Sequence, residues 1–141
     1  MDFETVRAKM MAQVDEARRS GMAVSYGWEF EVEGLTVYTS IRHRRKHGVL
    51  HLLRTTFDDF PRRAPSYVFV DRKTKEVLPE QSWPPNVKHG DPDLPGICTP
   101  GTREFHEKWH ATDAQYPWDP DRWTFLDTLQ RIHAMMEHGT P

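Results

Sequence analysis

The chain contains very little cysteine, has no long apolar run and has no excess of charge of either sign. Its 141 residues include one cysteine, Cys98, which excludes an internal disulfide framework. The longest apolar runs are far too short to cross a bilayer, and the N-terminus carries no apolar signal segment, so we expect a cytoplasmic protein that does not bind a membrane. With 19 Lys and Arg against 21 Asp and Glu, the net charge of -2 gives no general attraction to nucleic acid.

One short segment of the chain is strongly basic, although the net charge is close to zero. Residues 42–47 read Arg-His-Arg-Arg-Lys-His. The run lies between two predicted strands, which favours a solvated hairpin turn, and a site for an acidic partner surface is its functional alternative.

The hydrophobic pattern predicts one α+β domain over residues 1–141, since this length is typical of a single compact core. Apolar residues recur at helical spacing near both ends, and alternating or β-branched segments lie between them. The expected elements are an N-terminal helix at 3–20, a four-stranded antiparallel meander at 24–32, 35–42, 49–57 and 66–70, and a C-terminal helix that begins at Asp119-Pro120 and runs through residue 136.

A long irregular stretch, about residues 71–118, separates the fourth strand from the last helix and contains Cys98. Loops of this length inside a compact domain tend to be functional. A lone cysteine is open to three roles: nucleophilic thiolate, zinc ligand or inert buried thiol. Glycines and prolines flank this cysteine in Pro95-Gly96-Ile97-Cys98-Thr99-Pro100-Gly101, which disfavours a core position.

Four segments, in the same order along the chain, resemble the ubiquitin-conjugating enzyme fold. They are Phe57-Asp58-Asp59-Phe60-Pro61-Arg62-Arg63-Ala64-Pro65 with the strand after it, Trp83-Pro84-Pro85-Asn86-Val87, Gly96-Ile97-Cys98, and Trp118-Asp119-Pro120 with the helix after it. The second segment is similar to the family's His-Pro-Asn motif, with Pro84 in place of the histidine. The intervals from Asn86 to Cys98 and from Cys98 to Trp118 are longer than in the eukaryotic enzymes. A short bacterial form, encoded beside ubiquitin-like proteins, activating enzymes and JAB-type peptidases, resembles this chain most.

The resemblance implies a conjugating enzyme with no cofactor, in which Cys98 carries a ubiquitin-like modifier as a thioester. The asparagine that matches Asn86 supports the oxyanion formed during aminolysis in that family. The implied partners are a ubiquitin-like modifier, its activating enzyme, a target protein and a JAB-type peptidase of the same operon, and such operons imply a role in defence against phage.

The residues that follow Cys98 suggest further participants in the chemistry. His106 or His110 is suited to act as a general base, because a neutral imidazole titrates near the working pH. Asp113 or Glu104 is suited to orient that histidine or to deprotonate an incoming lysine.

A metal-binding interpretation competes with the conjugating enzyme. His106-Glu107-Lys108-Trp109-His110 fits the His-Glu-x-x-His pattern of zinc hydrolases, although the extended metzincin pattern fails at Asp113. Cys98, Glu104, His106 and His110 would complete a four-ligand zinc site. The same residues resemble a bacterial domain described as a predicted metal-binding Cys-Glu-His-His domain. A helix over residues 103–110 would place Phe105 and Trp109 on an inner face and bring the two histidines together.

A third possibility is a catalytically silent binding module of the same fold. It predicts partner binding that does not depend on the thiol of Cys98.

Overall fold

Two helices open the chain in the computed structural model, which describes residues 2–44, 48–84, 86–87, 89–91 and 94–138. Helix α1 (Phe3–Arg19) begins at Asp2, whose side chain accepts a hydrogen bond from the Thr5 amide, and buries one apolar stripe. Pro85 and residues 45–47 of the basic run lie outside the described residues.

The predicted start of the first strand at residue 24 is wrong, because a short second helix, α2 (Gly21–Tyr26), occupies that segment. The Ser20 side chain caps it by accepting from the Ala23 amide, and Gly27 ends it with a left-handed φ of 69°. These two caps outweigh the strand preference of Val24 and Tyr26.

The predicted four-stranded antiparallel meander is confirmed. Its strands are β1 (Glu29–Glu33), β2 (Thr36–His43), β3 (Val49–Thr56) and β4 (Ser66–Val70), in the spatial order β1-β2-β3-β4. Tyr38 of β2 lies opposite Glu31 of β1 and Arg54 of β3, which sets the register. Alternation in β2 sends Val37 and Ile41 into the core.

The C-terminal helix forms but begins later than the sequence predicts. Helix α3 spans Phe125–His138, and Thr124 caps it: the Thr124 hydroxyl accepts from the Asp127 amide, and an Asp127 carboxylate oxygen accepts from the Thr124 amide. Asp119 instead closes a turn, since its carbonyl accepts from the amides of Arg122 and Trp123.

Helices α1 and α3 contact each other, and α3 also contacts the sheet. Phe125 of α3 lies at the centre of this packing, with its ring against those of Phe30, Phe57 and Tyr67. Its amide donates to the Gln13 side chain of α1 at 2.8 Å. Within the described residues, no helix is both long enough and apolar enough to cross a membrane.

Residues 71–118, expected to be irregular, contain four short elements within the part that the structure describes. A 3-10 turn (Glu80–Ser82) precedes a hairpin of β5 (His89–Asp91) and β6 (Leu94–Ile97), and a π-helical segment (Phe105–Trp109) follows. Strand β6 packs near β4, so the cysteine segment is attached to the body of the molecule.

Candidate functional site

Cys98 directly follows β6 and is partly buried. Its neighbour Ile97 is fully buried in the hydrophobic core. Cys98 is less buried than Ile97 and Thr99 on either side of it. The thiol therefore lies at a fixed strand end rather than in the core.

Hydrogen bonds and a close contact with α3 hold the turn after Cys98. The Thr102 hydroxyl donates to the Thr99 carbonyl at 2.9 Å and accepts from the Phe105 amide at 3.2 Å, so Thr102 caps the next helical turn. Gly101 has a φ of 102° and lies so close to α3 that a Cβ atom there would meet Thr128 Oγ1 at 2.0 Å. Only glycine fits this contact.

His106 is buried and bridges two backbone groups. Its Nε2 accepts from the Gly101 amide at 3.0 Å, and its Nδ1 donates to the Tyr116 carbonyl at 2.9 Å. The ring packs between Trp118 and Trp123, with centroids at 5.5 and 4.5 Å. Burial lowers the pKa of His106, which favours the neutral imidazole.

Glu104 lies under the cysteine strand. Its carboxyl group occupies the space in which a side chain on Gly96 would stand, and its Oε1 accepts from the Ser66 hydroxyl. Its Oε2 is buried and makes no hydrogen bond within the described part of the chain. Desolvation raises the pKa of Glu104.

His110 and Asp113 form one of the histidine and carboxylate pairs that the sequence left open. His110 Nδ1 lies 3.4 Å from Asp113 Oδ2, and each side chain is about a third exposed, at 39% and 34%. The His110 ring stacks on Phe105, five residues earlier, at a centroid distance of 4.1 Å. The π-helical bond from the His110 amide to the Phe105 carbonyl produces this spacing.

The predicted inner face of this helix is correct for Phe105 and wrong for Trp109. Phe105 is buried, whereas Trp109 is 46% exposed. A π-helical turn contains more residues than the α-helical turn that the sequence predicts. Phe105 therefore lies on the same face as His110 rather than Trp109.

Glu107 is held by Arg63 in a bidentate ion pair with nitrogen to oxygen distances of 2.6 to 3.1 Å. This pair lowers the pKa of Glu107. Arg63 belongs to the proline-rich corner, the segment of residues 57–65 that contains Pro61 and Pro65. Arg103 makes a second link to this corner, since it donates to the Ala64 carbonyl and to Asp58. Glu107, the glutamate of the His-Glu-x-x-His pattern, therefore holds the π-helical segment to the proline-rich corner.

The four residues of the predicted zinc site all lie among the described residues. No group of three or more His, Cys, Asp or Glu among the described residues is arranged to hold a metal ion. Both ring nitrogens of His106 bond to backbone groups, and Glu104 bonds to Ser66.

Asn86 sits in a turn whose neighbours are anchored in the core. Trp83 and Val87 are buried, and the Trp83 indole donates to the Leu78 carbonyl at 2.9 Å. His89 of β5 pairs with Ile97 of β6 in antiparallel register. The start of β5 and the end of β6 therefore lie at the same end of the hairpin, and Cys98 directly follows that end of β6.

Several residues that build the site were missed by the sequence analysis. They are Ser66, Gly101, Thr102, Tyr116 and Thr128. A threonine before a short helical segment is a capping signal that marks Thr102. Ser66 and Glu104 are separated by 38 residues, and no local pattern links them.

No protein-family model matches the chain, and no curated protein is significantly similar to it. The resemblance to ubiquitin-conjugating enzymes therefore rests on its motif segments and the order of its elements.

Proposed function

We propose that this protein is a ubiquitin-like conjugating enzyme that carries its modifier as a thioester on Cys98. The observation that carries the proposal is the position of Cys98, which is partly exposed at the end of β6 in a turn backed by α3. A nucleophile at a fixed strand end suits transfer of an acyl group between two protein partners.

The order of elements supports a minimal ubiquitin-conjugating fold. An N-terminal helix, a four-stranded meander, a cysteine segment and a helix behind it follow one another along the chain. The proline-rich corner and the Trp118 segment, which both carry the resemblance, also touch: the Trp118 indole donates to the Pro61 carbonyl at 2.8 Å.

The chemistry consists of two acyl transfers and needs no metal or redox step. In the first, the Cys98 thiolate attacks the thioester that joins the modifier to its activating enzyme, a new carbon to sulfur bond forms, and the enzyme's thiolate leaves. In the second, an amine of the target attacks the Cys98 thioester, the Cys98 thiolate leaves, and a base accepts the amine proton. Asn86 is the neutral amide donor for the oxyanion of that second step.

His110 is the proposed proton acceptor of the segment. Asp113 lies beside its Nδ1 and the pair is part exposed, whereas both nitrogens of His106 are occupied by backbone groups. A carboxylate beside Nδ1 orients an imidazole for proton transfer at Nε2.

The test is reconstitution with ATP, a ubiquitin-like protein and the activating enzyme that charges it. We expect an adduct that a thiol reductant removes from the wild type, a reductant-resistant ester on Cys98→Ser and no adduct on Cys98→Ala. Partner binding without any adduct on the wild type would contradict the proposal and favour a silent binding module.

Asn86→Ala separates the two steps. We expect it to form the thioester at the normal rate and to slow discharge onto a free amine by about 100-fold or more, the usual cost of losing an oxyanion donor. An equal loss in both steps would indicate that Asn86 acts only in folding.

A further inference from the structure

We propose that His106 is a positioning residue, fixed as its Nδ1–H tautomer, that clamps the turn after Cys98 to the segment ending at Tyr116. The inference rests on the proposed function, in which that turn carries the nucleophile. It assigns His106 a role different from both proton transfer and metal binding.

The two hydrogen bonds determine the tautomer. The Gly101 amide can only donate, so Nε2 of His106 must carry the lone pair. The Tyr116 carbonyl can only accept, so Nδ1 must carry the proton. Proton uptake at Nε2 would break the bond to Gly101. His106 therefore does not act as a general base while this bond is in place.

The clamp joins the turn after Cys98 to the segment that ends at Tyr116. Gly101 stands three positions after Cys98, and Tyr116 lies ten positions after His106. The rings of Trp118 and Trp123 contact the imidazole ring. The turn after Cys98 is thus pinned by His106 on one side and packed against Thr128 on the other.

Loss of the clamp is expected to loosen this turn and expose the partly buried thiol more often, because local opening follows the loss of buried contacts. A glutamine amide has both an acceptor and a donor, so His106→Gln can replace at least the bond to Gly101. His106→Leu can replace neither bond. His138, exposed near the end of α3, supplies a matched control in His138→Ala.

Two measurements test the proposal without any modifier or activating enzyme. Imidazole nitrogen NMR of the wild type is expected to show a protonated Nδ1 and a bare Nε2 for His106. Alkylation of Cys98 by iodoacetamide is expected to accelerate about fivefold in His106→Leu, to stay near the wild-type rate in His106→Gln and to be unchanged in His138→Ala.

A protonated Nε2 with a bare Nδ1 would overturn the proposal, and so would an unchanged alkylation rate in folded His106→Leu. If His106→Leu does not fold, the NMR result alone decides. Failure of the wild type to form a thioester would contradict the proposed function and leave these two measurements interpretable.

Discussion

Gly101 is the residue whose identity the site tolerates least. It combines a φ of 102° with an approach to Thr128 that leaves no room for a Cβ atom. We expect Gly101→Ala to lower the free energy of unfolding by at least about 2 kcal/mol, because both backbone strain and overlap oppose the methyl group. Denaturant unfolding measures this loss.

Gly21 provides the matched control for that substitution. Nothing lies within 4 Å of a Cβ built there, and its φ is not in the left-handed region. Gly21→Ala should change stability by less than about 1 kcal/mol. Equal effects at the two glycines would contradict the packing of Gly101 on α3.

Glu104 is a buried acid that costs stability when charged. Its folded pKa is raised above the ordinary value of 4.5 by desolvation, so the unfolded chain loses this proton more easily. The loss of folding stability is absent below pH 4.5, and it grows as the pH rises through the pKa of Glu104 in the folded protein.

We therefore expect Glu104→Gln to raise the free energy of unfolding at pH 7 by about 1 kcal/mol, since the amide oxygen still accepts from Ser66. The gain should shrink toward pH 4. Unfolding curves at both pH values, with the exposed Glu16→Gln as control, measure it, and a loss of stability at pH 7 would refute this description of Glu104.

At the scale of single residues, the sequence predicts candidate side chains but not the contacts that they make. Cys98 and Asn86 stood out because of their loop context and motif, and the His110 pairing with Asp113 follows from their closeness along the chain. The partners of Glu104 and His106 depend on tertiary packing across strands and turns. No local rule predicts such contacts.

Among the elements, α3 shows how a cap determines where a helix begins. Thr124 and Asp127 exchange hydrogen bonds at its first turn. We expect Thr124→Ala to cost about 1 kcal/mol of stability and Thr124→Ser, which keeps the hydroxyl, to cost much less. Thermal unfolding followed by circular dichroism would measure both, and equal losses would argue against a capping role.

Hydrophobic patterning predicted α1 and strands β2 to β4 to within one or two residues, because α1 buries one apolar stripe and the strands are rich in alternating, β-branched or aromatic residues. It failed at α2, where Ser20 and Gly27 cap a segment rich in strand-forming residues. It also failed to show the β5 and β6 hairpin, whose three- and four-residue strands are too short for a periodic signal.

For the molecule as a whole, buried histidines should make stability depend on pH. His133 of α3 accepts from the Trp28 indole through Nδ1 at 2.9 Å, and its neighbours include Tyr26, Glu137, Arg44 and His43. Burial lowers the pKa of His133, as it does that of His106. The unfolded chain therefore binds more protons once pH falls below about 6.5.

We expect the free energy of unfolding to fall between pH 7.5 and about 5.5, and to fall less steeply in His133→Gln. Urea unfolding at several pH values in this window measures both slopes. An identical slope in the variant would show that His133 does not contribute.

The site itself is a property of the whole molecule. Arg63 of the proline-rich corner, Thr128 of α3 and Ser66 of β4 each fix a different part of the cysteine segment or of the helix after it. Residues from distant parts of the sequence thus hold the segments on both sides of Cys98.

The most direct test of the proposed thioester is the intact mass of the protein after incubation with ATP, a ubiquitin-like protein and the activating enzyme that charges it. We expect a species with the summed mass of protein and modifier less one water, attached at Cys98 and released by a thiol reductant. A wild-type protein that stays unmodified beside a fully charged activating enzyme would contradict the proposed function.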